Sequence, residues 1–141
     1  MKRVFVAIIP ILLFVGCAIN QAIVPLANNL DIQKIYIVKN FDGRFDPALE
    51  IIKNKLIEKN IEYKIVNGTP PPDGEFHLDY GGEFTWDFRT YMSKFVVNVY
   101  QNGRVIAGAE YNAKSGGFRI DKFANTEQKI TSIINECFYN L

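Results

Sequence analysis

An uncharged apolar run, Val4–Val15, follows Lys2-Arg3 and ends at Gly16-Cys17. This order of charged start, apolar middle and small residue is typical of a bacterial secretory signal. The alternative is a transmembrane helix, but the run is shorter than the ~20 apolar residues that a bilayer requires. It also contains Pro10, and no cluster of positive residues follows to stop transfer. We therefore expect cleavage between Gly16 and Cys17, and a fold built only from the residues that remain.

The end of this run, Leu13-Phe14-Val15-Gly16-Cys17, resembles the lipobox of bacterial lipoproteins. The resemblance implies that Cys17 carries a diacylglycerol on its sulfur and, after cleavage, an N-acyl chain such as palmitate, with no other cofactor. Ala18 then follows the lipidated cysteine. Retention in the inner membrane usually depends on Asp at that place, so the resemblance implies the periplasmic face of the outer membrane.

The residues after the signal suit one small domain. The chain has 141 residues, and loss of the first 16 leaves 125. The 16 Lys and Arg against 15 Asp and Glu become 14 against 15 once Lys2 and Arg3 are removed. This near-neutral balance gives no basic footprint for nucleic acid. Cys137 is the one cysteine besides Cys17, and its apolar neighbours predict a buried, unpaired thiol.

The first half of the domain is expected to be strand–helix–strand. Residues 17–33, with Pro25 and few charges, indicate a lipidated cysteine and tether, and the domain is expected at 34–141. The alternative for the apolar tether residues Ile23, Val24 and Leu26 is that they pack on the domain. Lys34–Val38 is apolar on both faces, which predicts a central strand. Asp46-Pro47 predicts a helix start with Asp46 as the cap. The alternating residues Ile61–Val66 predict the next strand.

The second half is expected to be three antiparallel strands and a helix. Phe76–Trp86 and Tyr91–Tyr100 alternate, and Asn102-Gly103 before another alternating run predicts a hairpin. An apolar stripe from Ile130 to Leu141, preceded by a capping-box spacing at Asn125 and Gln128, predicts the last helix. The fold class is therefore α+β, with the element order β-α-β-β-β-α plus one further strand, since the segments above number five strands and two helices. We expect a two-layer sandwich in which two helices cover one face of a mixed sheet.

Candidate metal ligands share one face of the first long strand. His77, Asp79 and Glu83 have the same strand parity, and imidazole with carboxylates suits several divalent ions. However, His77 and Glu83 are separated by roughly 20 Å along a straight strand. The interpretation we favour is the solvent face of a half-covered antiparallel sheet, with no metal site. The sequence contains no clear nucleophile–base pair either, so we expect no catalytic residue.

Aromatic residues surround a charged turn between the two long strands. Trp86, Phe88, Arg89 and Tyr91 either close the core at the hairpin end, which we favour, or form a partner surface. Asn40-Phe41 and Phe45 present the same two alternatives in a second loop. Pro70–Pro72 indicates a stiff spacer, with a recognition ligand as the alternative.

Three segments resemble the Sbal-type family of small bacterial lipoproteins, which has no settled function. They are Ile35-Tyr36-Ile37-Val38-Lys39-Asn40, Thr85-Trp86-Asp87 with Tyr91-Met92, and Tyr100-Gln101-Asn102-Gly103 with Ala109-Glu110-Tyr111. The resemblance covers residues 34–141 and the lipobox, with Thr85 where Ser is expected. It implies a lipid-anchored α+β domain and transfers no catalytic residue. The element order is also similar to that of the outer-membrane lipoprotein that helps deliver lipopolysaccharide, a likeness of topology alone.

These observations predict a non-enzymatic envelope lipoprotein that acts as a binding or assembly accessory. Its partners would be the membrane, through the lipid on Cys17, and an envelope protein. One alternative is a small metal-dependent hydrolase. The other is a carrier that holds an apolar or glycolipid ligand between the sheet and the helices.

Overall fold

The structure is a computed structural model that describes residues 20–27, 30–72, 74–113 and 125–140. Six strands form one mixed sheet, and two helices pack against it. The strands are β1 (Asn20–Val24), β2 (Lys34–Val38), β3 (Glu62–Val66), β4 (His77–Asp87), β5 (Arg89–Gln101) and β6 (Arg104–Asn112). The helices are α1 (Asp46–Glu58) and α2 (Thr126–Cys137). The sheet order is β1-β6-β5-β4-β2-β3.

The α+β sandwich predicted from the sequence is confirmed. Strands β2, β3 and β4 are parallel where they pair, whereas β4, β5, β6 and β1 are antiparallel. Helix α1 contacts α2 and β3, and α2 contacts β5 and β6. Alternate strand residues point toward the helices and are fully buried, among them Ile35, Leu78, Phe95, Val97 and Val99. The core therefore lies between the helices and one face of the sheet.

The sheet begins inside the segment that the sequence assigns to a tether. Asn20–Val24 pairs antiparallel with β6 as an edge strand, and the Leu26 side chain that follows is fully buried. The backbone N–H of Leu26 also donates to the carbonyl of Cys137. The backbone of β1 pairs with the edge of β6, which would otherwise present unpaired N–H and C=O groups. The expected tether thus lies partly in the fold. Leu26 packs on the domain, as the alternative predicts, whereas Ile23 and Val24 remain exposed in β1.

Helix α1 starts at the predicted place but without the predicted cap. Asp46 is its first residue, and the N-cap Phe45 makes no side-chain capping bond. A 3-10 turn, Gly43–Phe45, leads into the helix, and its own cap Asp42 accepts from the Arg44 N–H. Asp46 as the cap is therefore wrong. The capping role moves back to Asp42, because the turn continues directly into the helix.

Helix α2 follows the predicted pattern. The side chain of Asn125 accepts from the backbone N–H of Glu127, and Ile130, Ile133, Ile134 and Cys137 are buried. The adjacent Phe138 is also fully buried. Burial raises the pKa of the Cys137 thiol to about 12. The predicted buried, unpaired thiol is confirmed. Leu141, the last residue of the predicted stripe, lies outside the described residues.

Strands β4 and β5 extend beyond the rest of the sheet as a two-stranded arm, Phe84–Met92. Within the described ladders, β5 pairs with β6 only from Lys94 onward, and β4 pairs with β2 only at His77 and Leu78. A β-bulge at the base of the arm leaves Ser93 without a partner position on β4. Such bulges increase the local twist and redirect a strand. The arm therefore leaves the sheet as a separate projection.

Candidate functional site

The residues that carry the sequence argument for lipidation lie outside the described part of the chain. Gly16 and Cys17 precede Asn20, where the description begins. Among the residues that are described, no helix is both long and apolar enough to cross a bilayer. Phe118–Phe123, whose sequence indicates a short extended piece, also lies outside the described ranges.

The arm tip displays aromatic side chains to solvent. Trp86 is 71% exposed and Phe88 is 79% exposed, and their ring centroids are 6.5 Å apart. Arg89 is exposed and Tyr91 half-buried on the returning strand. The interpretation of the two rings as core residues at the hairpin end is therefore wrong. The other alternative, an exposed aromatic surface, agrees with their positions.

The turn at the tip consists of a single residue. Asp87 pairs with Arg89, and Phe88 between them has φ of 61°. This left-handed conformation costs an ordinary L-residue roughly 1–2 kcal/mol, and Gly or Asn usually occupies it. Phe88 thus places a large exposed ring at a position whose positive φ favours Gly or Asn. Departures of this kind are frequent at functional positions.

The base of the arm is braced against the core. Phe84 lies on the buried face, with its ring 5.4 Å from that of Phe45, and Phe45 in turn lies 6.1 Å from the Phe95 ring. The Arg44 guanidinium stacks over Phe84 at 4.7 Å. Of the second loop patch, Phe45 is therefore core, whereas Phe41 is exposed. These contacts join the base of the arm to the core.

The face of the sheet turned away from the helices, here called the open face, carries an aromatic row. Tyr36, His77 and Tyr100 occupy paired positions on β2, β4 and β5. The His77 and Tyr100 rings are stacked, with centroids 4.8 Å apart and planes within 4°. Burial raises the pKa of Tyr100, and the neighbouring Asp79 carboxylate raises it further.

A cavity of about 250 Å³ lies beside this aromatic row. The cavity is lined by Pro70–Pro72, Glu75, His77, Tyr100 and the Asn102-Gly103 turn. The prolines are therefore a rigid wall of a surface cavity. The turn itself is the predicted hairpin, with positive φ at both residues.

Two asparagine side chains lie against glycines on the open face. A Cβ on Gly81 would be 2.7 Å from Asn40 Nδ2, and a Cβ on Gly108 would be 2.7 Å from Asn98 Oδ1. The same Asn40 Nδ2 donates to the Tyr80 carbonyl. A shallow cavity of about 340 Å³ lies around Asp79, Gly81, Glu83, Lys94 and Asn98. The open face is thus polar and partly aromatic. Glycines occupy the positions where the side-chain amides of Asn40 and Asn98 lie against the sheet.

The three candidate metal ligands lie on the open face as predicted. His77, Asp79 and Glu83 pair with Tyr100, Asn98 and Lys94 respectively. Within the described residues, no three His, Cys, Asp or Glu side chains come close enough to hold a metal ion. Asp79 instead interacts with Tyr100.

Sequence reasoning missed the single-residue turn at Phe88 and the buried bulge at Ser93. Nothing in the local sequence signals a positive φ at phenylalanine, because this turn lacks Gly and Asn. The bulge has a weak signal. The apolar alternation of β5 changes phase between Met92 and Phe95, which are both buried although three positions apart.

Comparisons with known proteins show distant structural likeness only. No protein-family model matches the chain, and no curated protein matches it. A dodecameric PelC variant from Paraburkholderia phytofirmans has 16% identity and a TM-score of 0.46, over 83% of this chain and 90% of that one. A PDZ domain protein from Parabacteroides distasonis has 12% identity and a TM-score of 0.45, over 82% of this chain. The match spans 34% of that second protein's chain.

Proposed function

We propose that the protein is a lipid-anchored lipoprotein of a Gram-negative envelope, and that it acts as a non-enzymatic binding or assembly accessory at the outer membrane. Cys17 would carry the lipid, and the folded domain would meet its partner on the periplasmic side. The resemblance to the Sbal-type lipoproteins agrees with this proposal.

The sequence around the proposed cut supports the anchoring part of the proposal. A charged start, an apolar run and Gly16-Cys17 follow one another in the order of a lipoprotein signal. Acyl chains on one cysteine would hold the domain stably, because each buried CH₂ contributes about 0.8 kcal/mol and two or more chains act together.

The observation that carries the binding part is the open face. Its aromatic row and glycine-lined surface form two neighbouring cavities on a side of the sheet that neither α1 nor α2 covers. Tyr36, His77, Asn98 and Tyr100 are each half-buried there, and the stacked His77 and Tyr100 rings restrain each other before a partner arrives. Preorganised side chains reduce the entropy lost on binding. We infer that an envelope protein contacts this face.

Photo-crosslinking in intact cells tests the binding proposal. A photoreactive amino acid at Tyr36 lies on the open face, and the same amino acid at exposed Asn54 on α1 is the matched control. We expect a discrete protein adduct from position 36 and none from position 54. Equal capture at both positions, or no protein adduct from position 36, would contradict the proposal.

A further inference from the structure

We propose that the arm tip, formed by Trp86 and Phe88, inserts into the interface of the same membrane leaflet that holds Cys17. The protein would then have two membrane contacts, one covalent lipid and one aromatic hairpin. This inference rests on the proposed lipid anchor. It adds a defined orientation of the domain relative to the bilayer.

The sheet register places the anchor and the arm at the same end of the molecule. Asn20 pairs with Asn112, Asn112 with Lys94, and Lys94 with Glu83, so these residues form one cross-strand row. Strand β1 runs away from this row toward the far end of the sheet, and β4 runs from the row toward the arm tip. The chain therefore enters the fold at the end from which the arm projects.

The lengths of the two segments match. Cys17 is three residues before Asn20, so its Cα lies within about 11 Å of Asn20 at 3.8 Å per residue. Trp86 is three strand residues beyond Glu83, or about 10 Å, and Phe88 is five beyond, or about 16 Å. The three strand spacings between Asn20 and Glu83 set the lateral separation of the two segments at about 14 Å. With the strands perpendicular to the membrane, Phe88 lies about 16 Å from the Asn20–Glu83 row and Cys17 at most about 11 Å from it, so the Phe88 ring reaches at least as deep as Cys17.

The chemistry of the tip suits the interface. Tryptophan is enriched at membrane–water interfaces, where its ring meets both acyl chains and headgroups. Arg89 follows Phe88 directly and carries a charged group that favours the headgroup level over the hydrocarbon interior. Interfacial apolar groups are typically buried ~5–10 Å into the boundary between headgroups and chains. The exposed rings, otherwise facing water, would be covered by lipid.

The opposite end of the molecule then faces away from the membrane. The Pro70–Pro72 cavity lies at the other ends of β4 and β5, beside the Asn102-Gly103 turn. Tyr139 is also at that far end, because the Cys137 carbonyl bonds to Leu26, just beyond the distal end of β1. Tyr139 is 80% exposed, which makes it a matched control for the aromatic tip.

Trp86 is the only tryptophan in the chain, so its fluorescence reports on the tip alone. The experiment uses the full protein isolated from its own membranes and reconstituted in phosphatidylcholine–phosphatidylglycerol vesicles. Some vesicles contain lipids brominated near the carbonyl region, and others contain lipids brominated near the chain end. We expect a blue-shifted emission, stronger quenching by the shallow bromines, and loss of quenching by aqueous acrylamide. Phe88→Gly should weaken the bromine quenching, whereas Tyr139→Ser should leave it unchanged.

Two results would overturn the inference, and they differ from failure of the anchor. If mass spectrometry shows lipid on Cys17 but Trp86 remains accessible to acrylamide and unquenched by bromine, the tip does not insert and the lipoprotein proposal stands. If a photoreactive amino acid at position 88 forms a protein adduct in cells instead of a lipid adduct, the tip is a protein-binding surface. If Cys17 carries no lipid, the proposed function itself fails, and the inference fails with it.

Discussion

The Thr85 hydroxyl lies 2.7 Å from the Ser93 hydroxyl, across the base of the arm. Ser93 in turn donates to the Glu83 carbonyl at 3.2 Å, and its own carbonyl accepts from the Ala113 N–H. The Ser93 side chain is fully buried. The extra residue of the bulge is thus held by hydrogen bonds to three residues, two on β4 and one just after β6.

Ser93→Ala should therefore lower the free energy of unfolding. The change removes the hydroxyl that joins Thr85 to Glu83, and a typical internal hydrogen bond contributes about 0.5–1.5 kcal/mol. Denaturant unfolding followed by circular dichroism measures the effect. Ser132→Ala is the control, because Ser132 is exposed on α2 and should change stability by less than about 0.5 kcal/mol. Equal effects of the two substitutions would contradict a structural role for the bulge hydroxyl.

Gly82→Ala should be more disruptive. A Cβ on Gly82 would lie 2.0 Å from the Lys94 carbonyl oxygen, so the paired strands β4 and β5 would have to separate. Overpacking of this kind costs typically 1–3 kcal/mol, and more where backbone atoms collide. Gly43→Ala is the matched control, because its nearest atom is the Asp46 side chain at 3.6 Å. A midpoint of thermal unfolding equal to that of the control would show that the register here is wrong.

Phe88→Gly should leave the stability unchanged or raise it by up to about 1 kcal/mol, since glycine adopts the positive φ without a steric penalty. The Phe88 ring is largely exposed, so its removal loses little buried apolar area. The reciprocal variant is Gly103→Ala. Gly103 has φ of 69° and no atom within 4 Å of its Cβ position, so this change should lower stability through backbone strain alone. Clear destabilisation by Phe88→Gly would indicate that the ring stabilises the fold, against the functional role proposed for it.

The Cys137 thiol should resist alkylation in the native protein. Burial raises its pKa to about 12, so almost no thiolate exists at pH 8. Iodoacetamide at pH 8 should label Cys137 only after denaturation, as read by intact mass. Rapid labelling of the native protein would contradict the burial of helix α2.

The same thiol makes stability depend on pH. The unfolded thiol titrates near the ordinary value of 9.0, whereas the folded thiol keeps its proton up to about 12. The contribution of Cys137 is therefore fully present below pH 9 and is lost as the pH rises toward 12. A Cys137→Ala variant should lack this component, and the difference between the two unfolding curves should change above pH 9. A constant difference over that range would count against the raised pKa.

Periodicity predicted the parts of this fold whose side chains alternate between core and solvent. The Asn102-Gly103 hairpin and the stripe of α2 are each specified by local pattern and turn chemistry, whereas Lys34–Val38 is specified by a continuous apolar run. Strand β1 escaped prediction because its role depends on a distant edge, β6, and its own residues remain exposed. A strand that buries little has no alternating pattern to detect.

For the arm tip and the aromatic row, the sequence predicted which residues take part but not how they are arranged. The sequence identified Trp86 and Phe88 as a core or contact cluster, but their exposure depends on how far β4 and β5 extend beyond β2 and β6. That length follows from three-dimensional register. The aromatic row of Tyr36, His77 and Tyr100 likewise comes from strands far apart in the chain. Strand parity placed His77 on the correct face. Its neighbours Tyr36 and Tyr100 depend on which strands pair, and strand parity does not predict that.

The central claim is that a lipid on Cys17 fixes this domain to a membrane. Mass spectrometry of the amino-terminal peptide, from protein isolated from its own cells, tests it most directly. We expect a peptide that begins at Cys17, with a diacylglycerol on the sulfur and an amide-linked fatty acid on the amino group. A Cys17→Ser variant should lack both. A peptide that begins at Met1, or one that contains an unmodified Cys17 thiol, would contradict the account.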